Sequence, residues 1–542
     1  MTPLSARLLP SLWLAFAAGA LLILGSPGPA RADEPPTAAQ SNDDASGGER
    51  PDQLKHVVYL PETIRAQLRE EIKDEVLKRA VSEGWATPNA IPAWTQRFRF
   101  TADVRLRWEM VFFQRGNANT GMFPDFNAIN NGQPFDVLGY DLANDRYLNV
   151  DQNRRRPRVR ARLGVDVDVG QGFGVGLRFA SGDGSNPVST NQTLGGAPGD
   201  FSKLQLWIDR AALTYEPFKG KPSGILLEAG RFGNPFFSTD LIWWSDLSFD
   251  GIALQGRVNL GWLELFVNGG GFPYFITGFD FPAERSTKIR SVDKWLIAGQ
   301  LGAKWEMPER FTLTLAAAYY YFDNIEGRVG SPCDTNLKGY TCDTDLTRPL
   351  FAQKGNTYMA LRRPSVFALT YEAAGAAEYQ YFGLASIFRE LAITGRFELR
   401  VARQLKATLD GEFVRNLGFS TKRIAPIALN SRASCGDACI GPFEGGLNGY
   451  FARLSIGSPT MDKQWSWSVG LTYRSIESDA VVDAFNDPDF GLGGTNLRGF
   501  VFAGAVALTD GVLASVRWMS ANQVSGPPYG VDVLHIDVTA RY

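Results

Sequence analysis

The chain has only two histidines in 542 residues, and its 21% of charged residues nearly cancel, leaving a formal charge of -2. That balance lacks the basic signature of a nucleic-acid binder, so no nucleic acid is expected as a partner. The scarcity of histidine also leaves little for hydrolysis: His56 lies in a polar stretch and His535 in the final segment. A serine partner for His535 would be required, and a polar side chain facing water is the simpler reading. After residue 24 no stretch reaches the roughly 20 consecutive apolar residues of a membrane helix. Nor is a cofactor implied. The glycines at 170, 172, 174 and 176 have the look of a phosphate loop, yet no helical pattern follows them.

What is present is alternation. From Asp532 to Tyr542, Leu534, Ile536, Val538, Ala540 and Tyr542 fall on one face, and His535, Asp537, Thr539 and Arg541 on the other. A strand between lipid and an aqueous lumen needs this period of two, and bacterial outer-membrane barrels end on such an aromatic strand. An edge strand of a soluble sandwich would read the same way, but the other end of the chain argues for export. Arg7 precedes an apolar run from Ser11 to Leu24, and Pro27 and Pro29 break any continuing helix. Ala30-Arg31-Ala32 then offers a signal-peptidase site, so residues 1–32 are expected to be a signal peptide. An exported chain without membrane helices resides in a membrane only as a closed barrel.

Residues 33–59 are polar and proline-rich and read as a disordered linker. Over 60–84, Leu60, Ile64, Leu68, Ile72, Val76 and Ala80 recur every four residues among charges, the pattern of an amphipathic helix. It reads either as a periplasmic coiled coil that helps trimerise the protein or as a single helix docked under the barrel.

The barrel is expected over 97–542. Phe98, Phe100, Ala102, Val104, Leu106 and Trp108 alternate with polar residues, as do Val159, Ala161, Leu163, Val165 and Val167. Further segments begin near Phe173, Gln205, Ile225, Gly251, Trp262, Lys294, Phe311, Glu390, Leu405, Tyr450, Gln464, Gly499, Val512 and Val533. The expected fold is thus all-β, a transmembrane antiparallel β-barrel of about 16 strands. Its connections alternate between a few residues and long polar excursions, the longest from Asp323 to Ser386. Cys333 and Cys342 lie in that loop, and Cys435 and Cys439 in the next. Because each pair shares one loop, local pairing is preferred over the two crossed connectivities; a metal site is the alternative, disfavoured because no histidine is nearby and an oxidising compartment favours bridges.

The inward faces carry charge that a water-filled lumen tolerates and a packed core does not. Arg105, Arg107, Arg158, Arg160, Arg162 and Arg178 crowd the first three strands, and Arg396, Arg400, Arg453 and Arg474 follow elsewhere. These are the candidate pore-lining residues; they would read equally as charges merely solvated by a wide pore. The stretch Phe232 to Asp250 is too apolar for a waving outer loop. It is expected to fold inward as a constriction, packing Phe236, Trp243 and Trp244 on the wall and presenting Asp240, Asp246 and Asp250 to the basic ladder. An aromatic cap on the barrel mouth is the alternative.

The block Glu70 to Trp108, with Glu83-Gly84-Trp85-Ala86, Pro88-Asn89-Ala90-Ile91-Pro92-Ala93-Trp94 and Arg97-Phe98-Arg99-Phe100, resembles the opening of the bacterial family called putative porins. So do Asn186 to Leu194, Asp209-Arg210-Ala211 and Gly230 to Pro235. The likeness is most specific in the first half of the mature chain. It implies an outer-membrane barrel, bedded in lipid, that passes small hydrophilic solutes as a homotrimer, and it brings no residue roles with it. A barrel serving only as an envelope anchor, or a substrate-specific channel, would share these features. Deleting Pro61 to Glu83 and crosslinking the product tests the helix: loss of the trimer band is the outcome for a coiled coil, and unchanged oligomers would remove that role.

Overall fold

The computed structural model describes residues 94–141, 146–278, 290–372, 375–433 and 441–542, together with Glu75, Val76 and Lys78. The chain divides into residues 1–89 and 90–542. In the first unit Glu75, Val76 and Lys78 are helical. The signal peptide, the linker and the rest of the 60–84 helix lie outside the described residues, as do Cys435 and Cys439.

The second unit is built from sixteen long strands: β1 (Phe98–Phe113), β2 (Arg154–Gly170), β3 (Phe173–Ser181), β4 (Leu206–Tyr215), β5 (Gly224–Gly233), β6 (Ser248–Asn259), β7 (Leu263–Phe275) and β8 (Lys294–Met307). They continue as β9 (Phe311–Asp323), β10 (Arg389–Ala402), β11 (Leu405–Asn416), β12 (Asn448–Gly457), β13 (Trp467–Ile476), β14 (Leu497–Ala507), β15 (Val512–Gln523) and β16 (Gly530–Arg541). Each pairs antiparallel with its sequence neighbours, and β1 pairs with β16 from Asp103↔Arg541 to Phe113↔Val531. The sheet is therefore a closed barrel. Closure leaves no edge strand, so every strand can satisfy its backbone inside lipid. Among the described residues no helix is long and apolar enough to cross a membrane.

The burial pattern is the inverse of a soluble protein's. Along β1, Val104, Leu106 and Trp108 are exposed while Arg107 and Glu109 are buried; along β16, Ile536 and Val538 are exposed while His535, Asp537 and Thr539 are buried. Apolar side chains face outward to lipid and polar ones inward, and because the period is two, a slip of one residue would exchange the faces.

Seven connections at one end are short, from two to nine residues, and both chain ends of the barrel lie there. The β2–β3 turn shows why glycine is used: Gly170, Gln171 and Gly172 all have positive φ, and a Cβ on Gly172 would meet Glu216 O at 2.5 Å. At the opposite end lie the described residues of the connections 114–153, 182–205, 234–247, 276–293, 324–388, 417–447 and 477–496, and a short last loop, 524–529. Cys333 and Cys342 form a disulfide within the 324–388 loop.

Replacing Leu454, outward-facing at the centre of β12, with Arg is expected to cost about 2–4 kcal/mol if that position sits at the bilayer midplane. Urea unfolding from lipid vesicles measures this, and an unchanged midpoint would contradict the outward assignment.

Candidate functional site

The lumen is crossed by a loop whose own sequence folds it inward. Asn234 Oδ1 accepts from Phe236 N at 2.9 Å, turning the chain just after β5. Phe236 then packs edge-on against Phe249, Phe272 and Tyr320, and Trp243 against Phe249 and Tyr320. Polar wall residues grip the backbone between these anchors. Gln300 on β8 accepts from Phe237 N and donates to Phe237 O, both at 2.8 Å, and Glu412 on β11 accepts from Thr239 N and Oγ1. The loop thus reaches the far wall and returns, so of the two expected placements the structure shows the inward one.

Its acids meet the basic ladder unequally. Asp246 is buried, with Arg162 at 2.5 Å and Arg160 at 3.7 Å, and it accepts from Thr190 Oγ1 at 3.0 Å. Asp240 is more open and faces Arg453 at 3.5 Å. Asp250 departs from expectation. It lies on β6, paired in register with Arg231, and shares the outward face with Ile252 and Leu254. Its ion pair with Arg231, at 2.7 Å, is outside the lumen. Strand pairing continues to Gly233↔Ser248, which confines the loop to 234–247 and returns Asp250 to strand alternation.

The expected pore-lining arginines all occupy the inward face, most of them in ion pairs. Arg160 grips Asp103 through two bonds, Arg158 pairs with Glu109, Arg178 with Asp209, and Arg396 with Asp410. Arg453 bridges Asp410 and Asp240, and Arg400 sits toward the short-turn end of the face that carries Arg396. Arg105 donates to Asn191 Oδ1 at 2.6 Å. A channel cavity of about 320 Å³ lies between loop and wall, lined by Arg105, Arg107, Arg160, Arg517 and Arg541 with Asp240, Asp246, Asp537 and Trp244.

A second inward loop, 477–496, was not anticipated. Asp489 pairs with Arg107 and Arg517, at 2.9 and 3.0 Å, and Asp487 pairs with Arg474 at 3.1 Å. It meets the first loop through Trp244 N donating to Phe485 O and Asp487 N donating to Asp240 O. Its sequence, Ala480-Val481-Val482-Asp483-Ala484-Phe485, is as apolar as that of the first loop, and the same criterion applied there would have found it. Glu109, Asp489 and His535 cluster within 4.8 Å. Arg156 and Arg158 already hold Glu109, and Arg107 and Arg517 hold Asp489, so this is an ion-pair knot rather than a vacant donor set.

The 324–388 loop locks this second loop in place. Asp479 accepts from Thr357 N and Oγ1, Tyr358 donates to Asp483, and Lys354 Nζ donates to Gly491 O and Gly493 O. These groups lie in the connections, outside the spanning strands. Burial pushes the Asp479 carboxyl up to about 6 and Asp483 up to about 7, and pushes the Lys354 ammonium down to about 7. The raised carboxyls favour the docked loop while protonated, so their contribution is complete below the ordinary carboxylate range and is lost as pH rises through about 6 to 7. Lys354 has the opposite sign, losing its contribution as pH falls through about 7. Single-channel current noise from loop motion is therefore expected to grow as pH rises from the ordinary carboxylate range to about 7, with no further growth above it, and Asp479→Asn with Asp483→Asn to abolish that growth. An identical rise over the same range in the double variant would refute it.

A family described as putative porin matches residues 27–542 of the chain. No curated protein matches it. Among solved structures it is similar to the outer-membrane channel DcaP of Acinetobacter baumannii, at 10% identity and a TM-score of 0.37 over 82% of this chain and 97% of that one. OprB of Pseudomonas putida at high pH gives 12% and 0.41 over 82% and 94%. OmpF of Salmonella typhi, in complex with daunomycin, gives 7% and 0.36 over 82% and 97%.

Proposed function

The chain belongs to the putative porin family, and from that premise we propose that its two inward loops form the selective constriction of the pore. The protein is an outer-membrane porin, a channel for passive diffusion of small hydrophilic solutes or ions. The observation that carries the constriction is the 234–247 loop held inside a closed barrel, with Asp240 and Asp246 opposite a wall of arginines. Opposed rows of base and acid set a field across the channel that orients polar solutes and disfavours apolar ones. Five arginines against three aspartates line the cavity, so anions pass more readily than cations. The lining serves permeation rather than catalysis.

Further readings accompany this one. Residues 1–32 direct export, and the barrels assemble as trimers, as the family resemblance implies. A substrate-specific channel differs from a general pore only in whether one solute resides at the constriction.

Bilayer recordings of the folded protein test the proposal. Conductance steps linear in salt are expected, with an anion preference that strengthens in Asp240→Asn and in Asp240→Asn with Asp246→Asn. One charge about 5 Å from a permeating ion in water is worth about 0.8 kcal/mol, roughly a fourfold change in permeability ratio. An unchanged reversal potential would sink the constriction role. A silent bilayer from a heat-modifiable, folded barrel would favour the envelope-anchor reading.

A further inference from the structure

The 234–247 loop has two faces. Trp244, Ser245 and Asp246 turn to the charged channel, whereas Trp243 and Leu247 turn to a separate chamber of about 740 Å³ on the side of the long loops. That volume lies in the range of about 300–1,000 Å³ typical of small-molecule sites. The lining is chiefly apolar, with Trp243, Phe249, Phe272, Phe322, Leu350 and Phe485 as its main surfaces. Within it, Ser248 Oγ and the indole Nε1 of Trp243 are buried and have no hydrogen-bond partner among the described residues. A lining of aromatic faces around an orphan hydroxyl and an orphan indole N–H matches an uncharged, flat aromatic molecule carrying one polar group that both accepts and donates a hydrogen bond, as a hydroxyl does.

The chamber also reaches the outer face of the barrel. Strand β4 pairs with β5 only from Ala211↔Arg231 to Tyr215↔Leu227, although β4 continues against β3 to Leu206 and β5 continues against β6 to Gly233. A bulge opposite Arg178/Phe179 bends β4 away at this level. The result is a gap in the wall. Ile208, Arg231 and Asp250, which face outward, line the same cavity as the inward-facing Phe249 and Phe272. Arg231 frames the gap: its Nε donates to the Asp209 carbonyl at 3.1 Å, and its guanidinium is neutralised by Asp250. The ion pair supplies a polar frame at a position where a lone arginine on a lipid face would be costly.

We propose that this chamber binds uncharged aromatic molecules bearing one hydroxyl or comparable polar group, and that they reach it from the bilayer through the β4–β5 gap. The site is distinct from the charged constriction and does not depend on that assignment. Molecules of this class partition into lipid, so an opening in the barrel wall meets them where they concentrate.

The full-length folded protein in lipid nanodiscs, titrated with 2-naphthol at neutral pH and followed by quenching of tryptophan emission, tests this. A saturable component absent from empty nanodiscs is expected. Ala180→Trp, which fills the chamber from β3, is expected to weaken it at least tenfold. Should that variant lose its heat-modifiable mobility, Ser248→Ala serves instead. It is expected to weaken 2-naphthol about fivefold, the worth of one hydrogen bond, and to leave naphthalene unchanged. No saturable component, or equal weakening of both probes by Ser248→Ala, overturns the site, as does undiminished binding to a folded Ala180→Trp. For the route, a bulky maleimide on Ile208→Cys is expected to slow association about tenfold with affinity unchanged. An unaltered association rate overturns entry through the wall.

Discussion

Closure of the sheet is the constraint on which everything else rests. A barrel in lipid has no water to satisfy a free backbone edge, so β1 must find β16 and the ladder must run unbroken around the wall. Closure forces alternation, with apolar residues outward and polar ones into an enclosed space. The enclosed polar residues then need partners, and sixteen strands bring arginines and carboxylates from distant parts of the chain within reach. Arg107 illustrates the outcome: it joins β1 to Asp537 of β16 and to Asp489 of a loop between β13 and β14.

The inward loops are consequences of that demand. A wall lined with arginine needs carboxylates that its own strands do not wholly supply, and the 234–247 and 477–496 loops bring them. Aromatic packing fixes the first loop against the wall, and the 324–388 loop braces the second. Breaking a buried, hydrogen-bonded pair typically costs about 3–5 kcal/mol, because the remaining charge is stranded. The two loops are therefore braced parts of the barrel interior rather than loose flaps. The two faces of the first separate a charged passage from an apolar chamber within one lumen.

Most of the wall was legible in the sequence because a strand between lipid and water has a period that local residues must obey. Strand number, the alternation of short and long connections, and the inward face of Arg105, Arg160 and Arg453 all follow from that period. The inward turn of the first loop was legible for a related reason: Phe236, Trp243 and Trp244 are too apolar for solvent. Asp250 was misplaced because the strand begins earlier than the apolar run implies, at Ser248, and alternation then turns the carboxylate outward.

Sequence by itself determined which side chains face lipid and which face the lumen, since that choice is made residue by residue by neighbours in the chain. Only the tertiary structure decided which charges meet. The ion-pair partners of Asp246 are two arginines on β2, Arg160 and Arg162, those of Asp489 include Arg107 on β1 and Arg517 on β15, and Thr357, which donates to Asp479, lies in another loop. Such pairings depend on the diameter of the closed barrel and the path of loops across it, quantities that no local pattern encodes. The incomplete β4–β5 seam is of the same kind: each strand reads as a strand, and the gap exists only in how the two diverge.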